Sequence, residues 1–290
     1  IEITILDGGS ALVRVSDDGS GMDSSDAVLS LARHGTSKIH TSSDLTGVRT
    51  FGFRGEALPA ICSVARIEIE TALEDGPGTR VQAAGGEPAI VVPTQRRHGT
   101  TVSVTDLFYN SPARARFLRG ARSEWRAITE VVTSLALTRR DVRFDLAHDG
   151  RRSMSAPPAT SLRVRTGALW GVEHADALLD VDDVAGAIQV SGLVERPANV
   201  GTATRRIFLS VNGRSIRDPG LLRAAEMAYR STIPAGTRPS LYLEIAVPAD
   251  SIDVNVHPTK AEIRFQDRWT VERAVERAVR RALGTFDAAA

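Results

Sequence analysis

Three glycine-punctuated polar motifs lie between Asp17 and Leu58: Asp17-Asp18-Gly19-Ser20-Gly21-Met22, Ala32-Arg33-His34-Gly35-Thr36-Ser37-Lys38 and Gly52-Phe53-Arg54-Gly55-Glu56-Ala57-Leu58. Each has a use in holding a nucleotide. A carboxylate at the base of a pocket, Asp17, accepts a hydrogen bond from an exocyclic amine such as adenine N6. Gly19 and Gly21 let the backbone approach the base. Thr36, Ser37 and Lys38 offer two hydroxyls and a cation, groups that suit phosphate oxygens. The third motif is a glycine-rich loop entering a helix, where free N–H groups and the macrodipole attract an anion. Each motif alone also fits a purely structural turn, helix end or connection. Of the 36 basic residues two are lysines, Lys38 and Lys260, leaving 34 arginines. A chain that otherwise uses arginine keeps a compact point charge inside this cluster.

Neither of the two commonest nucleotide motifs is present. There is no GxxxxGK[ST] run, and Gly19-Ser20-Gly21 lacks the third glycine of a dinucleotide fingerprint. A different nucleotide fold is required.

The elements that must position these residues read as follows. Ile1, Ile3 and Ile5 alternate with Glu2 and Thr4, a strand with one buried face. Asp7-Gly8-Gly9 turns it into a second strand over 11–15, a hairpin. Asp23 or Ser24 caps a helix running to about residue 33. A second helix spans 55–64, and strands follow at 66–71, 79–82, 89–92 and 100–105. One helical stretch covers 112–139, with Trp125, Ile128, Val131, Val132 and Leu135 at helical spacing, and a strand covers 142–147. Ser153–Thr160, with two adjacent prolines, reads as a linker. Beyond it the pattern restarts, with strands at 177–181, 187–194, 207–211, 241–247 and 252–254 and helices at 218–229 and 268–283. This predicts two α+β domains, 1–155 and 156–290.

Length, 42% hydrophobic and 24% charged residues suit packed soluble cores. No apolar run approaches the ~20 residues that cross a bilayer, and no secretory leader is visible. The single cysteine, Cys62, excludes an internal disulfide and points to a reducing compartment, the cytoplasm. Scattered histidines without partners at ligand spacing predict no zinc site. The net charge of +1 hides two basic stretches: residues 193–240 and 112–143 each hold eight arginines against three acids. Such faces meet phosphates, although an arginine-biased composition also makes clusters by default. Arg205, Arg206, Arg214 and Arg217 are the candidate phosphate-backbone contacts.

In their order, the three motifs resemble the MutL family of DNA mismatch repair proteins, within the GHKL ATPases that include gyrase B, Hsp90 chaperones and histidine kinases. Further matching segments are Gly99-Thr100-Thr101-Val102, Asp106–Arg114, Val211-Asn212-Gly213-Arg214 and Asp253-Val254-Asn255-Val256-His257-Pro258-Thr259-Lys260. The resemblance spans nearly the whole chain. It implies a GHKL (Bergerat-type) ATP-binding α/β sandwich followed by a smaller α/β domain like the second domain of MutL and gyrase B. Asp17 then corresponds to the adenine-reading aspartate, and Gly21 to the backbone passing close to the base. Thr36, Ser37, Lys38 and Gly52, Phe53, Arg54, Gly55, Glu56, Ala57, Leu58 correspond to the phosphate-contacting lid. Thr100 corresponds to a threonine near the adenine end, and Lys260 to a catalytic lysine that reaches the terminal phosphate. The implied ligands are ATP and Mg²⁺. The implied partners are DNA, held without sequence preference, a mismatch-recognition protein and downstream repair enzymes. ATP-dependent homodimerisation is implied as well.

Family members carry their water-activating glutamate and Mg²⁺-binding asparagine on a helix that precedes the position of Ile1. The expectation is therefore that this polypeptide holds parts of ATP without hydrolysing it efficiently. A nucleotide-free DNA-binding or scaffold segment is the alternative.

Overall fold

The computed structural model describes residues 1–32, 56–85, 87–201, 204–253 and 263–285. Contacts divide the chain into two compact units: Ile1–Thr133 with Val142–Ala156, and Ser134–Asp141 with Pro157–Ala290.

The first unit is built on an eight-stranded sheet. Its strands are β1 (Glu2–Leu6), β2 (Leu12–Asp17), β3 (Arg66–Ala72), β4 (Gly78–Ala84), β5 (Ile90–Thr94), β6 (Gly99–Thr105), β7 (Phe144–His148) and β8 (Arg151–Ala156). Their order is β5-β4-β3-β6-β2-β1-β7-β8. Every pair is antiparallel except β1–β7, which is parallel.

Strand alternation sorts the two faces. In β3, Ile67, Ile69 and Thr71 are buried, while Glu68 and Glu70 lie on the opposite face. Cross-strand register aligns Val13, Val104, Ile67 and Ala83 in one row and Val15, Val102, Ile69 and Val81 in the next. The β3, β4 and β6 members of these rows form one side of a core with Ala27 of α1 (Ser24–Leu29) and Leu58 and Cys62 of α2 (Ala57–Cys62). Asp23 caps α1, accepting from Asp26 N at 2.8 Å. The other face is polar and self-paired: Arg80 meets Glu70 at 2.6 Å and Gln82 meets Glu68 at 2.7 Å.

The helical stretch expected at 112–139 is two helices. α3 (Pro112–Ala115) and α4 (Ala121–Thr138) are separated around Gly120, where neither propensity nor packing favours continuation. The side chain of Trp125 on α4 stacks on His148 of β7, with ring centroids 4.1 Å apart. The expected linker is also partly regular. Its first residues complete β8, which pairs with β7 through Phe144 and Ala156, and the chain leaves the sheet at Pro157-Pro158.

In the second unit a five-stranded sheet runs in the order β12-β11-β13-β10-β9. Its strands are β9 (Leu178–Ala185), β10 (Ile188–Glu195), β11 (Ile207–Val211), β12 (Arg214–Ile216) and β13 (Leu241–Ala246). A separate two-stranded ribbon pairs β14 (Ile252–Asp253) with β15 (Arg264–Phe265). Among the described residues the unit also holds α5 (Leu162–Trp170), α6 (Val172–Asp176), α7 (Pro219–Met227) and α8 (Arg268–Ala282). The sequence reading missed α5 and α6. Ser161 caps α5, and the wholly buried Arg165 on it donates to the carbonyl of Arg140 at 2.8 Å. α7 and α8 pack with Val194, Leu209, Leu243 and Ile245 into the main core. No helix among the described residues is long and apolar enough to cross a membrane.

Candidate functional site

Asp17 ends β2 and sits in register with Thr100 of β6, which is in register with Thr71 of β3, which in turn faces Thr79 of β4. One polar row, Asp17–Thr100–Thr71–Thr79, therefore crosses four strands beside two apolar rows on the helix-bearing face. A carboxylate and three hydroxyls at the end of an apolar surface suit a flat heteroaromatic ring with polar edges.

The row is internally bonded. Asp17 Oδ1 accepts from Gly19 N at 2.9 Å and from Thr100 N at 3.3 Å. The Thr71 hydroxyl donates to the Gly99 carbonyl at 3.2 Å, accepts from Met22 N at 2.9 Å and lies 3.1 Å from the Thr100 hydroxyl. Asp17 is half-buried and Thr71 wholly buried. Among the described residues Asp17 Oδ2 has no protein donor, so one carboxylate oxygen is held and the other is available. The residues present thus fit an amine-bearing base edge at this point.

Glycines make the row possible. Gly21 has φ +70°, and a Cβ there would collide with the carbonyl oxygen of Ala72. Gly99 has φ +107°, and a Cβ there would strike the carbonyl of Asp17. Both strands and the 18–22 loop close up only because these side chains are absent. From the opposite face Arg96 braces the same backbone. Its Nη2 donates to Asp17 O and its Nε to Gly99 O, each at 3.2 Å, and it also bonds the Thr101 hydroxyl.

Sequence reasoning missed Thr71 and Arg96. The only local signal for Thr71 was a hydroxyl where strand alternation calls for an apolar side chain. Arg96 carried none.

Of the residues expected to form a lid, Glu56 precedes α2 and is exposed. Ala57 and Leu58 form its first turn, and Leu58 packs against the core. Thr36, Ser37, Lys38, Gly52, Phe53, Arg54 and Gly55 lie outside the described residues, as does Lys260. Among the described residues no group of three or more His, Cys, Asp or Glu is placed to hold a metal ion. They do not by themselves fit a resident Mg²⁺.

The four candidate DNA-contacting arginines differ in their commitments. Arg205 forms an ion pair with Glu226 and donates to Pro239 O at 3.2 Å. Arg206 lies 5.0 Å above the Trp170 ring and donates to Thr204 O at 3.0 Å. Arg214 follows the Asn212-Gly213 turn, whose two residues both have positive φ, and burial lowers its pKa. Asn212 fixes that turn by exchanging two hydrogen bonds of 2.9 Å with the backbone of Val247. Arg217 is exposed, next to Asp218, which caps α7 through Gly220 N and Leu221 N.

This strand order and two-unit chain, with helices on one face of the larger sheet, form the α+β fold of the GHKL ATPase class. The solved N-terminal domain of a DNA repair protein matches 99% of this chain and 90% of its own, at a TM-score of 0.82 and 24% identity. The Aquifex aeolicus MutL ATPase domain, solved with ADP, matches 85% of this chain and 83% of its own, at a TM-score of 0.62 and 22% identity. These likenesses concern the fold. In sequence, residues 166–284 match the family described as DNA mismatch repair protein, C-terminal domain. DNA mismatch repair protein MutL of Gemmatimonas aurantiaca is 60% identical over 290 residues, all of this chain and 48% of the relative. Over its whole length the chain is homologous to MutL DNA mismatch repair proteins. It spans about half the length of the curated relatives it matches, 48% in that case.

Proposed function

We propose that this chain is the nucleotide-binding part of an ATP-gated mismatch repair adaptor. The observation that carries the reading is the polar row Asp17–Thr100–Thr71, closed by Gly21 and Gly99. Asp17 Oδ2 accepts the adenine amine while Oδ1 stays anchored to Thr100 N. Gly19 and Gly21 bring backbone against the ring. Thr36, Ser37 and Lys38, with Gly52–Leu58, close over the phosphates. Lys260 reaches the terminal phosphate and acts in its hydrolysis.

ATP then acts by population shift. Contacts to the terminal phosphate exist in the closed state and not in the open one, so ATP favours closure and pairing of two copies. DNA is held through its backbone by the arginine-rich stretch that includes Arg205, Arg206, Arg214 and Arg217. The paired form couples a mismatch-recognition protein to downstream repair enzymes in the cytoplasm.

Calorimetric titration with a nonhydrolysable ATP analogue tests this reading. Specific heat of binding that disappears in Asp17→Ala supports it. Absence of heat in the unsubstituted chain overturns it and leaves a DNA-binding scaffold.

A further inference from the structure

The second unit contains a groove of about 710 Å³ between α7, the turn that follows it, and α8. The nucleotide reading gives it no role. Its walls combine apolar surface with positive charge. Trp269 is 67% exposed and Met227 43% exposed, and Ile233 lines the groove beside them. Large side chains left in water at one place mark an interaction site more often than chance does.

The charges are not balanced within the groove. Its three carboxylates are already engaged: Glu226 by Arg205, Glu272 by Arg268 at 2.8 Å and Glu276 by Arg280 at 2.8 Å. Its three arginines, Arg223, Arg230 and Arg273, are exposed and form no ion pair among the described residues. Three uncompensated cations therefore border an apolar floor.

The groove is preformed. Asp218 at the start of α7 bonds Arg268 at the start of α8. A Cβ on Gly220 would collide with Glu272 and Arg268, so the helices meet closely at that end. Arg223 and Met227 stand one turn apart on α7, as do Trp269 and Arg273 on α8. Each helix thus offers a cation one turn from an apolar side chain. A bound helix with acidic and apolar residues one turn apart complements both walls.

We propose that this groove docks an acidic amphipathic helical segment of a partner protein. Duplex DNA would satisfy the arginines but has nothing to bury against Met227, Ile233 and Trp269. A single strand stacks its bases on successive exposed rings. Here Tyr229, the other aromatic residue of the lining, is wholly buried.

The test uses fluorescence anisotropy of a labelled synthetic peptide of roughly four helical turns against the full chain. The peptide carries glutamates, with leucine and phenylalanine one turn apart. Its twin has lysine for every glutamate, and an oligothymidylate serves as competitor. The expected result is saturable binding of the acidic peptide that weakens with salt and no binding of the twin. Arg223→Glu with Arg273→Glu, and separately Trp269→Ala, each weaken it by roughly tenfold or more, as expected of central anchors. Only the charge variant flattens the salt dependence. All of these side chains are exposed, and unchanged thermal midpoints show that the variants remain folded. Equal binding of the twin overturns the proposal, as does indifference to Trp269→Ala. Absence of acidic-peptide binding at about millimolar concentration, the weak limit of specific association, also overturns it. Displacement by oligothymidylate with the same dependence on Trp269 and the arginines reassigns the groove to single-stranded nucleic acid.

Discussion

The backbone N–H of Thr100 donates to Asp17 Oδ1 across the β2–β6 pair, at 3.3 Å. A second donor, Gly19 N at 2.9 Å, reaches the same oxygen. The carboxylate is thereby oriented before any ligand arrives. Preorganisation of this kind lowers the cost of binding.

Asp17→Asn keeps the side chain's size and removes its charge. A hydrogen bond to a charged group contributes about 1.5–3 kcal/mol. Affinity for an ATP analogue is expected to fall by roughly ten- to a hundredfold, with little change in the urea midpoint. Calorimetry and urea titration on the same sample separate the two effects.

Thr71→Val retains shape but loses the hydroxyl that accepts from Met22 N and donates to Gly99 O. It leaves a backbone N–H without a partner near a buried site. The expected cost is about 1–3 kcal/mol of stability in the first unit, read by urea unfolding. A midpoint equal to the unsubstituted chain contradicts the role assigned to this hydroxyl.

Gly21→Ala and Gly99→Ala combine a left-handed backbone with a collision against carbonyl backbone. Neither neighbour can rotate away, because both belong to strands. Each substitution is expected to cost about 2 kcal/mol or more. Gly150→Ala provides the comparison. It also has positive φ but meets nothing within 4 Å, so it carries the conformational cost alone.

The arginines of the second unit should separate in a DNA titration. Arg217 is exposed, and Arg205 is half-buried against Glu226 and Pro239 O. Arg217→Ala is expected to weaken duplex binding and reduce the salt slope by about one. Arg205→Ala is expected to lower thermal stability and leave the salt slope closer to its original value. The opposite ranking contradicts the assignment.

His174 gives the second unit a pH dependence. Its Nε2 lies 3.0 Å from the Tyr242 hydroxyl. Burial first, and then Arg206, lower its pKa below the ordinary value. The unfolded chain therefore takes up the proton more readily than the folded one. The contribution of neutral His174 is complete above about pH 6.5 and is lost as pH falls from there toward the depressed folded value. His174→Gln is expected to flatten the change in urea midpoint between about pH 7.5 and about pH 5.5.

Parts of this arrangement were legible in the sequence because they are local. Alternating Ile1, Ile3 and Ile5 reflects period-two burial, and Asp23 reflects a cap that forms with its own helix. Asp17 stood out because a carboxylate before glycines is a local pattern. Other features had no local signature. Arg165 carries a charge that ordinarily stays in water, yet it is wholly buried because it meets the carbonyls just after α4. Residues 153–156 read as the first part of a linker until β7 supplies their hydrogen bonds.

Turn chemistry, strand alternation, helix caps and the order of motifs were determined by the sequence alone, since each depends on neighbours a few residues apart. Only the tertiary structure placed Thr71 beside Thr100 and Asp17, and Trp269 across from Met227. Those neighbours are distant along the chain. Strand register and helix packing bring them together, and both are set by which apolar faces can be buried at once.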